Sequence, residues 1–164
     1  MKNKKINLLS WLIYDGANSF LSVAIGGLFL AQWLVLDMGY DDILYGATFS
    51  LATVLTLTTS PFWGAWSDRS GKRLPFIKWV TFLLIILSGI LSFVAPSGFS
   101  PRLKVIMVLL IVIGIQYFYQ LSLVFYNALL DAVSTKINKG KISGFGEAFS
   151  NIGWILGSVI FLQF

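Results

Sequence analysis

The chain carries the stretch Gly64-Ala-Trp-Ser-Asp68-Arg69-Ser-Gly71-Lys72-Arg73 between two long apolar segments. These ten residues hold one acid, three cations and two glycines. Each flanking segment is long enough to cross a bilayer, which takes about 20 apolar residues. A charged, tight turn between two membrane helices lies at a water interface. This placement favours a turn that locks or releases helices over a catalytic centre.

The composition of the chain is that of a membrane protein. Of its 164 residues, 57% are hydrophobic and 12% are charged, and the mean hydropathy is +0.81. A soluble domain is about half apolar and about a quarter charged. Five apolar segments lie at about 6–36, 43–66, 74–95, 105–130 and 144–164. Barrel strands are about half this length, so we expect an all-α polytopic membrane protein with five spans.

Several classes of chemistry are excluded by what the sequence lacks. The chain has no Cys and no His, which excludes disulfides, thiol chemistry and His-based metal or general-base sites. No Gly-rich lysine-serine phosphate loop occurs, which disfavours ATP use. We therefore expect no cofactor and no metal. The net charge of +5 does not indicate nucleic acid, because the basic residues lie between the spans.

The distribution of cations predicts the orientation in the membrane. Ten cations fall on one side, and they are Lys2, Lys4, Lys5, Arg69, Lys72, Arg73, Lys78, Lys136, Lys139 and Lys141. The other side has only Arg102 and Lys104. The positive-inside rule then places the N-terminus in the cytoplasm. We expect a multi-pass protein of the bacterial cytoplasmic membrane, or of the vacuolar membrane if the source is eukaryotic.

Span one has a polar face. At 100° per residue, Asn18 and Ser19 lie within about 60° of Asp15. An ionisable group in hydrocarbon costs at least about 2.5–3.5 kcal/mol, so it should face protein or a water-filled cavity. We interpret this face as part of a solute pathway. The alternative is a seam of hydrogen bonds that only holds helices together.

Spans four and five also have polar faces. In span four, the side chains that would line the pathway are Gln116, Tyr119, Gln120 and Asn127. Their amides suit a zwitterionic or hydroxylated solute, or they bond across helices. Span five carries Glu147 beside a stripe of small residues that allow close packing. Asp15 or Glu147 could bind a coupling proton.

The stretch from Gly64 to Arg73 resembles the signature loop between helices two and three of the major facilitator superfamily, with Trp66 where leucine is common. The segments Tyr14-Asp-Gly-Ala-Asn18-Ser19, Tyr126-Asn-Ala-Leu-Leu130 and Ser143-Gly-Phe-Gly146 look like the vacuole-effluxer-like branch. The resemblance implies helices one to five of twelve, so residues 1–164 would be an incomplete N-terminal half. It also implies alternating access and export of amino acids or similar small solutes.

The resemblance further implies a gating loop, made of Gly64, Asp68, Arg69, Gly71, Lys72 and Arg73. In such proteins the loop acid, here Asp68, meets a helix end of the other half and stabilises the closed cytoplasmic face. The loop cations pair with an acid at the end of helix four. We therefore expect Lys72 or Arg73 to pair with Asp131.

The expected partners are lipid, a small solute, and a C-terminal half of the same chain or a second subunit. The alternative function is a non-transporting scaffold or assembly subunit whose polar faces bind a partner. A membrane enzyme is disfavoured, because the acids are dispersed along the chain and no nucleophile with a base is evident.

Overall fold

The computed structural model describes residues 2–26, 28–94 and 96–161. Within these ranges the chain is helical and has no β-strand. The helices are α1 (Lys2–Gly26), α2 (Leu28–Gln32), a π-helical turn (Trp33–Asp37), α3 (Ile43–Ser70), α4 (Arg73–Val94), α5 (Pro101–Val133) and α6 (Lys139–Phe161). The predicted all-α class is confirmed.

Three described helices, α3, α4 and α5, are long and apolar enough to cross a membrane. Of the segments predicted as spans one and five, residues 6–26, 28–36 and 144–161 are also helical, while residues 27 and 162–164 lie outside the described residues. Polar residues lower the hydropathy of α1 and α6. The structure therefore supports a membrane protein, and the count of five spans and the cytoplasmic N-terminus stay predictions.

The helices continue past the apolar segments that predict them. Helix α3 reaches Ser70 and ends at Gly71, whose φ of 63° is left-handed and whose N–H donates to the Asp68 carbonyl at 3.1 Å. Glycine takes this conformation without a Cβ penalty. Helix α5 starts at Pro101, because proline at a first helical position loses no hydrogen bond. The connections are consequently shorter than the polarity of the sequence suggests.

An aspartate organises the start of α3. The Ile43 N–H donates to Asp41 Oδ1 at 3.0 Å. A carboxylate that accepts a backbone N–H near a helix start satisfies a donor with no partner inside the helix. The same hydrogen bond lowers the pKa of the Asp41 carboxyl.

The chain divides into two compact units, Leu30–Phe125 and a unit made of Met1–Phe29 with Tyr126–Phe164. In Leu30–Phe125, the best-buried apolar side chains include Leu84, Val112 and Leu121. Many large apolar side chains of the same unit are exposed, with Phe62 at 76% and Phe93 at 80%. Exposed apolar surface on this scale favours lipid as the surrounding medium.

The other unit depends on close packing of α1 against α6. A Cβ added at Gly153 would overlap the Gly16 carbonyl oxygen, and one added at Gly157 would lie 3.2 Å from the Phe20 carbonyl oxygen. On the facing helix, a Cβ at Gly16 would lie 3.1 Å from the Phe149 carbonyl oxygen. These glycines bring the two backbones together, as small residues do between membrane helices.

We expect Gly153→Ala to destabilise the protein by about 1–3 kcal/mol, because the added methyl must push α1 and α6 apart. The matched control is Gly144→Ala in the same helix, where an added Cβ meets nothing within 4 Å. That change should be neutral or slightly stabilising, since alanine favours a helix over glycine. Thermal unfolding in detergent measures both, and equal shifts would contradict the glycine contact.

Candidate functional site

A buried carboxyl is the centre of the α1–α6 unit. Tyr126 Oη donates to Asp15 Oδ2 at 3.0 Å. Both residues are nearly inaccessible, with 9% of Asp15 and 4% of Tyr126 exposed. In addition, Trp11 Nε1 donates to the Tyr126 carbonyl oxygen at 3.2 Å. The Tyr126 residue is thus bonded to α1 through its side chain and through its backbone.

The Tyr126 ring also stacks on two aromatic rings of α1. The Trp11 ring lies 4.4 Å away at an interplanar angle of 9°, and the Tyr14 ring lies 5.8 Å away at 22°. Helix α6 makes room for this cluster at Gly146, where a Cβ would lie 2.8 Å from Trp11 Cη2 and 3.2 Å from Tyr126 Oη. We call Trp11, Tyr14, Asp15, Tyr126 and Gly146 the carboxyl cluster.

Two serines of α1 form hydrogen bonds with α6 or within α1. Ser19 Oγ lies 2.6 Å from Ser150 Oγ, and Ser22 Oγ donates to the Ser19 carbonyl at 2.8 Å. Asn18 is buried, with 7% exposed. The serine pair is the kind of hydrogen bond between helices that the packing alternative expects.

Glu147 and Asn127, in the same unit, are both exposed. The Glu147 carbonyl accepts from Asn151 Nδ2 at 2.9 Å, one turn along α6. The two acids proposed for proton coupling therefore differ in environment, because Asp15 is enclosed by protein and Glu147 is not.

In the unit Leu30–Phe125, a chain of hydrogen bonds joins α3 to α5. Trp63 Nε1 donates to Tyr117 Oη at 3.0 Å, and Tyr117 Oη lies 2.9 Å from Thr59 Oγ1. Since the Thr59 hydroxyl donates to the Leu55 carbonyl at 2.7 Å, the Tyr117 hydroxyl must donate to Thr59. The sequence reasoning did not single out this chain of hydrogen bonds.

The pathway residues of α5 in this unit are only partly buried. Gln120 Nε2 donates to Thr53 Oγ1 at 3.1 Å, while Gln116 and Tyr119 are half-buried. The structure thus places Asp15, Asn18 and Ser19 in one unit and these three residues in the other. A shared pathway lined by both groups stays a prediction.

The predicted gating loop is held by bonds within itself. Arg73 Nη2 and Nε donate to Asp68 Oδ1 at 2.9 and 3.2 Å. Ser70 Oγ donates to the Ser67 carbonyl at 2.8 Å and accepts from the Lys72 N–H at 3.2 Å. The Asp68 side chain is 63% exposed, so the ion pair contributes little to stability. The ion pair between Asp68 and Arg73 instead helps to set the shape of the turn.

The remaining loop residues flank this ion pair. Gly64 lies inside α3, and Arg69 lies in its last turn. On α5, Asp131 Oδ1 accepts from Lys139 Nζ at 2.6 Å. The expected pairing of Lys72 or Arg73 with Asp131 stays a prediction.

The sequence reasoning missed the partner of Asp15. It named Tyr126 within the segment Tyr126-Asn-Ala-Leu-Leu130 but did not connect it with Asp15, and it did not single out Trp11. One signal was available, because Trp11 and Asp15 are four residues apart and therefore share a helix face. Which hydroxyl of another helix bonds to Asp15 depends on how the helices pack, and the spacing of residues along the sequence does not predict it. Within the ranges that the structure describes, no three His, Cys, Asp or Glu residues cluster to hold a metal ion.

Comparison with known proteins gives one informative similarity. A curated protein of Escherichia coli (strain K12), named "Putative transporter YdfJ", is 32% identical over 85 residues. The match covers 52% of this chain, and the chain spans only 19% of the length of that protein. No protein-family model matches the chain, and no solved structure matches it. The similarity is to a protein named as a transporter, and the apolar helices favour a membrane protein.

We expect Tyr126→Phe to destabilise the protein by about 1–2 kcal/mol, because the change leaves a buried carboxyl without a donor. A double-mutant cycle with Asp15→Ala isolates the bond. In the Asp15→Ala background, Tyr126→Phe should lower the free energy of unfolding by much less. Unfolding in detergent measures all four proteins, and an equal cost in both backgrounds would contradict a stabilising Asp15–Tyr126 bond.

Proposed function

We propose that the chain is the N-terminal part of a secondary active transporter of the major facilitator type, with relatives in its vacuole-effluxer-like branch. It works by alternating access, resides in a bacterial cytoplasmic membrane and exports amino acids or similar small solutes. The observation that carries the proposal is the buried Asp15 carboxyl, bonded to Tyr126 in a protein with apolar helices of spanning length. The similarity to a protein named as a transporter supports it.

The energetics of the carboxyl favour a functional role over a purely structural one. A carboxyl placed within a membrane helix costs several kcal/mol, whereas a serine pair costs far less. The α1–α6 contact already has such a pair in Ser19 and Ser150, together with its glycines. Packing alone does not need an acid there. Intramembrane acids of this kind commonly mark ion or solute pathways.

Asp15 is the stronger candidate for the coupling proton. An ionised carboxylate only accepts hydrogen bonds, whereas a protonated carboxyl also donates one. Proton binding at Asp15 would therefore change its hydrogen bond with Tyr126. The contact between α1 and the part of α5 that contains Tyr126 would change as a result. Glu147 is exposed and lacks such a connection to helix packing.

The amides supply the proposed solute contacts. Gln116, Gln120, Asn127 and Asn18 offer both donors and acceptors, which suits a solute with an ammonium and a carboxylate group. Tyr119 and Ser19 add hydroxyls. Partial burial of Gln116 and Gln120 leaves part of each side chain accessible.

The loop after α3 is proposed to gate the cytoplasmic side. Arg73 bonds to Asp68, and Asp131 bonds to Lys139. Both pairs are exposed, so exchanging partners costs little free energy. A pair between Arg73 or Lys72 and Asp131 would form in one state of the cycle and break in another.

Proton coupling is tested by the flux of radiolabelled amino acids from proteoliposomes that contain the full-length protein, measured against pH. We expect Asp15→Asn to abolish the pH dependence, because the amide keeps the shape of the carboxyl but does not titrate. The matched control is Asp42→Asn, the same chemical change at an exposed connection, which should retain the dependence.

Two results would count against the proposal. An unchanged pH dependence in Asp15→Asn removes this residue from coupling. If the folded wild-type protein carries no amino acid in either direction, export of such solutes fails and the scaffold alternative gains support.

The gate is tested by a charge exchange. We expect Arg73→Asp alone to reduce flux and the double variant Arg73→Asp with Asp131→Arg to restore part of it, because the exchanged pair can still form. Lys139→Gln serves as a control, since it removes a partner of Asp131 without removing either member of the proposed pair. No recovery in the double variant would refute pairing of Arg73 with Asp131.

A further inference from the structure

An aromatic groove lies between α3 and α4, next to the gating loop. It has a volume of about 420 Å³ and is lined by Trp63, Trp66, Pro75, Phe76, Trp79 and Leu83. This size is within the roughly 300–1,000 Å³ of ligand-binding pockets. Its lining is almost entirely apolar, so the occupant must offer an apolar segment.

The tryptophans of the groove differ in their hydrogen bonding. The Trp63 indole N–H donates to the Tyr117 hydroxyl oxygen. Trp66 and Trp79 are 60% and 65% exposed, and the described residues offer no hydrogen bond to either indole N–H. Tryptophans with an apolar ring and an available N–H are typical of the membrane–water interface, where they contact lipid headgroups.

The chain segment that forms the groove is rich in positive charge. Residues 64–83 contain Arg69, Lys72, Arg73 and Lys78, and the only acid among them is Asp68. Asp68 is bonded to Arg73. Among the described residues, the other three cations have no ion pair. Lys72 directly precedes α4, three residues before Pro75 and four before Phe76, so it is close in sequence to two residues that line the groove.

We infer that this groove binds one anionic phospholipid of the surrounding leaflet. An acyl chain occupies the space between the tryptophans and Phe76, and the phosphate group lies near Lys72 and Arg69. The indole N–H groups of Trp66 and Trp79 donate to phosphate or ester oxygens. The charge excess favours an anionic lipid over a zwitterionic one, because basic residues at the bilayer surface attract anionic headgroups. This site does not depend on which solute the protein carries.

The inference is tested with the full chain in vesicles, using quenching of tryptophan fluorescence by brominated acyl chains. Trp33→Phe and Trp154→Phe leave the three groove tryptophans and the buried Trp11 as emitters. One set of vesicles contains brominated phosphatidylglycerol, and the other contains the same fraction of brominated phosphatidylcholine. We expect stronger quenching by the anionic lipid.

Two variants that each remove one positive charge distinguish a lipid site at the groove from a general attraction of anionic lipids to a basic protein. We expect Lys72→Gln to lower the preference for phosphatidylglycerol about fivefold, the factor that one cation near an anionic surface contributes. Lys104→Gln removes the same charge at the start of α5 and should leave the preference unchanged. Equal quenching by both lipids, or an equal loss in both variants, would overturn the inference. Absence of quenching by either lipid would also overturn it, since a protein segment would then cover the groove.

Discussion

The contact between the backbones of α1 and α6 is the constraint on which the candidate site depends. Gly153 lies so close to the Gly16 carbonyl oxygen that it cannot carry a larger side chain without displacing the helices, and a Cβ at Gly16 would lie 3.1 Å from the Phe149 carbonyl oxygen. About two turns before Gly153 in α6, Gly146 leaves space for the Trp11 ring and for the Tyr126 hydroxyl. Asp15 on α1 lies within hydrogen-bonding distance of Tyr126 on α5 and is buried by protein. In the predicted five-span arrangement, moving α1 away from Tyr126 would leave the Asp15 carboxyl in hydrocarbon, at a cost of several kcal/mol.

The polar residues of the chain consequently fall into two groups with different roles. Ser19 and Ser150 bond to each other and contribute to packing, like the hydroxyl seams of many membrane bundles. Asp15 is different, because its bond to Tyr126 changes character when the carboxyl binds a proton. An acid placed at the junction of a close-packed helix pair can connect protonation to helix packing. That connection is what a coupled transporter requires, and a passive scaffold does not need it.

The sequence predicted the helices well, but it did not predict which side chains bond or stack with each other across helices. Long apolar runs identified α3, α4 and α5, and Gly71 marked the turn after α3, because hydropathy and glycine conformation are local properties. The helix ends differ from the apolar boundaries, since polar residues such as Asp68 and Arg102 continue a helix in water or at the interface. Asp15 was recognised because an acid is costly in lipid. Its bond to Tyr126 and the stacking of Trp11 depend on how distant segments pack, which residue spacing does not encode.

The most direct test of this account is a disulfide cross-link across the α1–α6 contact. The chain has no cysteine, so Ser19→Cys with Ser150→Cys introduces the only thiols. Their hydroxyl oxygens are 2.6 Å apart, a separation that suits a disulfide once sulfur replaces oxygen. The account predicts that mild oxidation closes an intramolecular disulfide in this pair, and not in the control pair Ser10→Cys with Ser150→Cys. Two free thiols in the first pair after oxidation would contradict the packing that holds Asp15 against Tyr126.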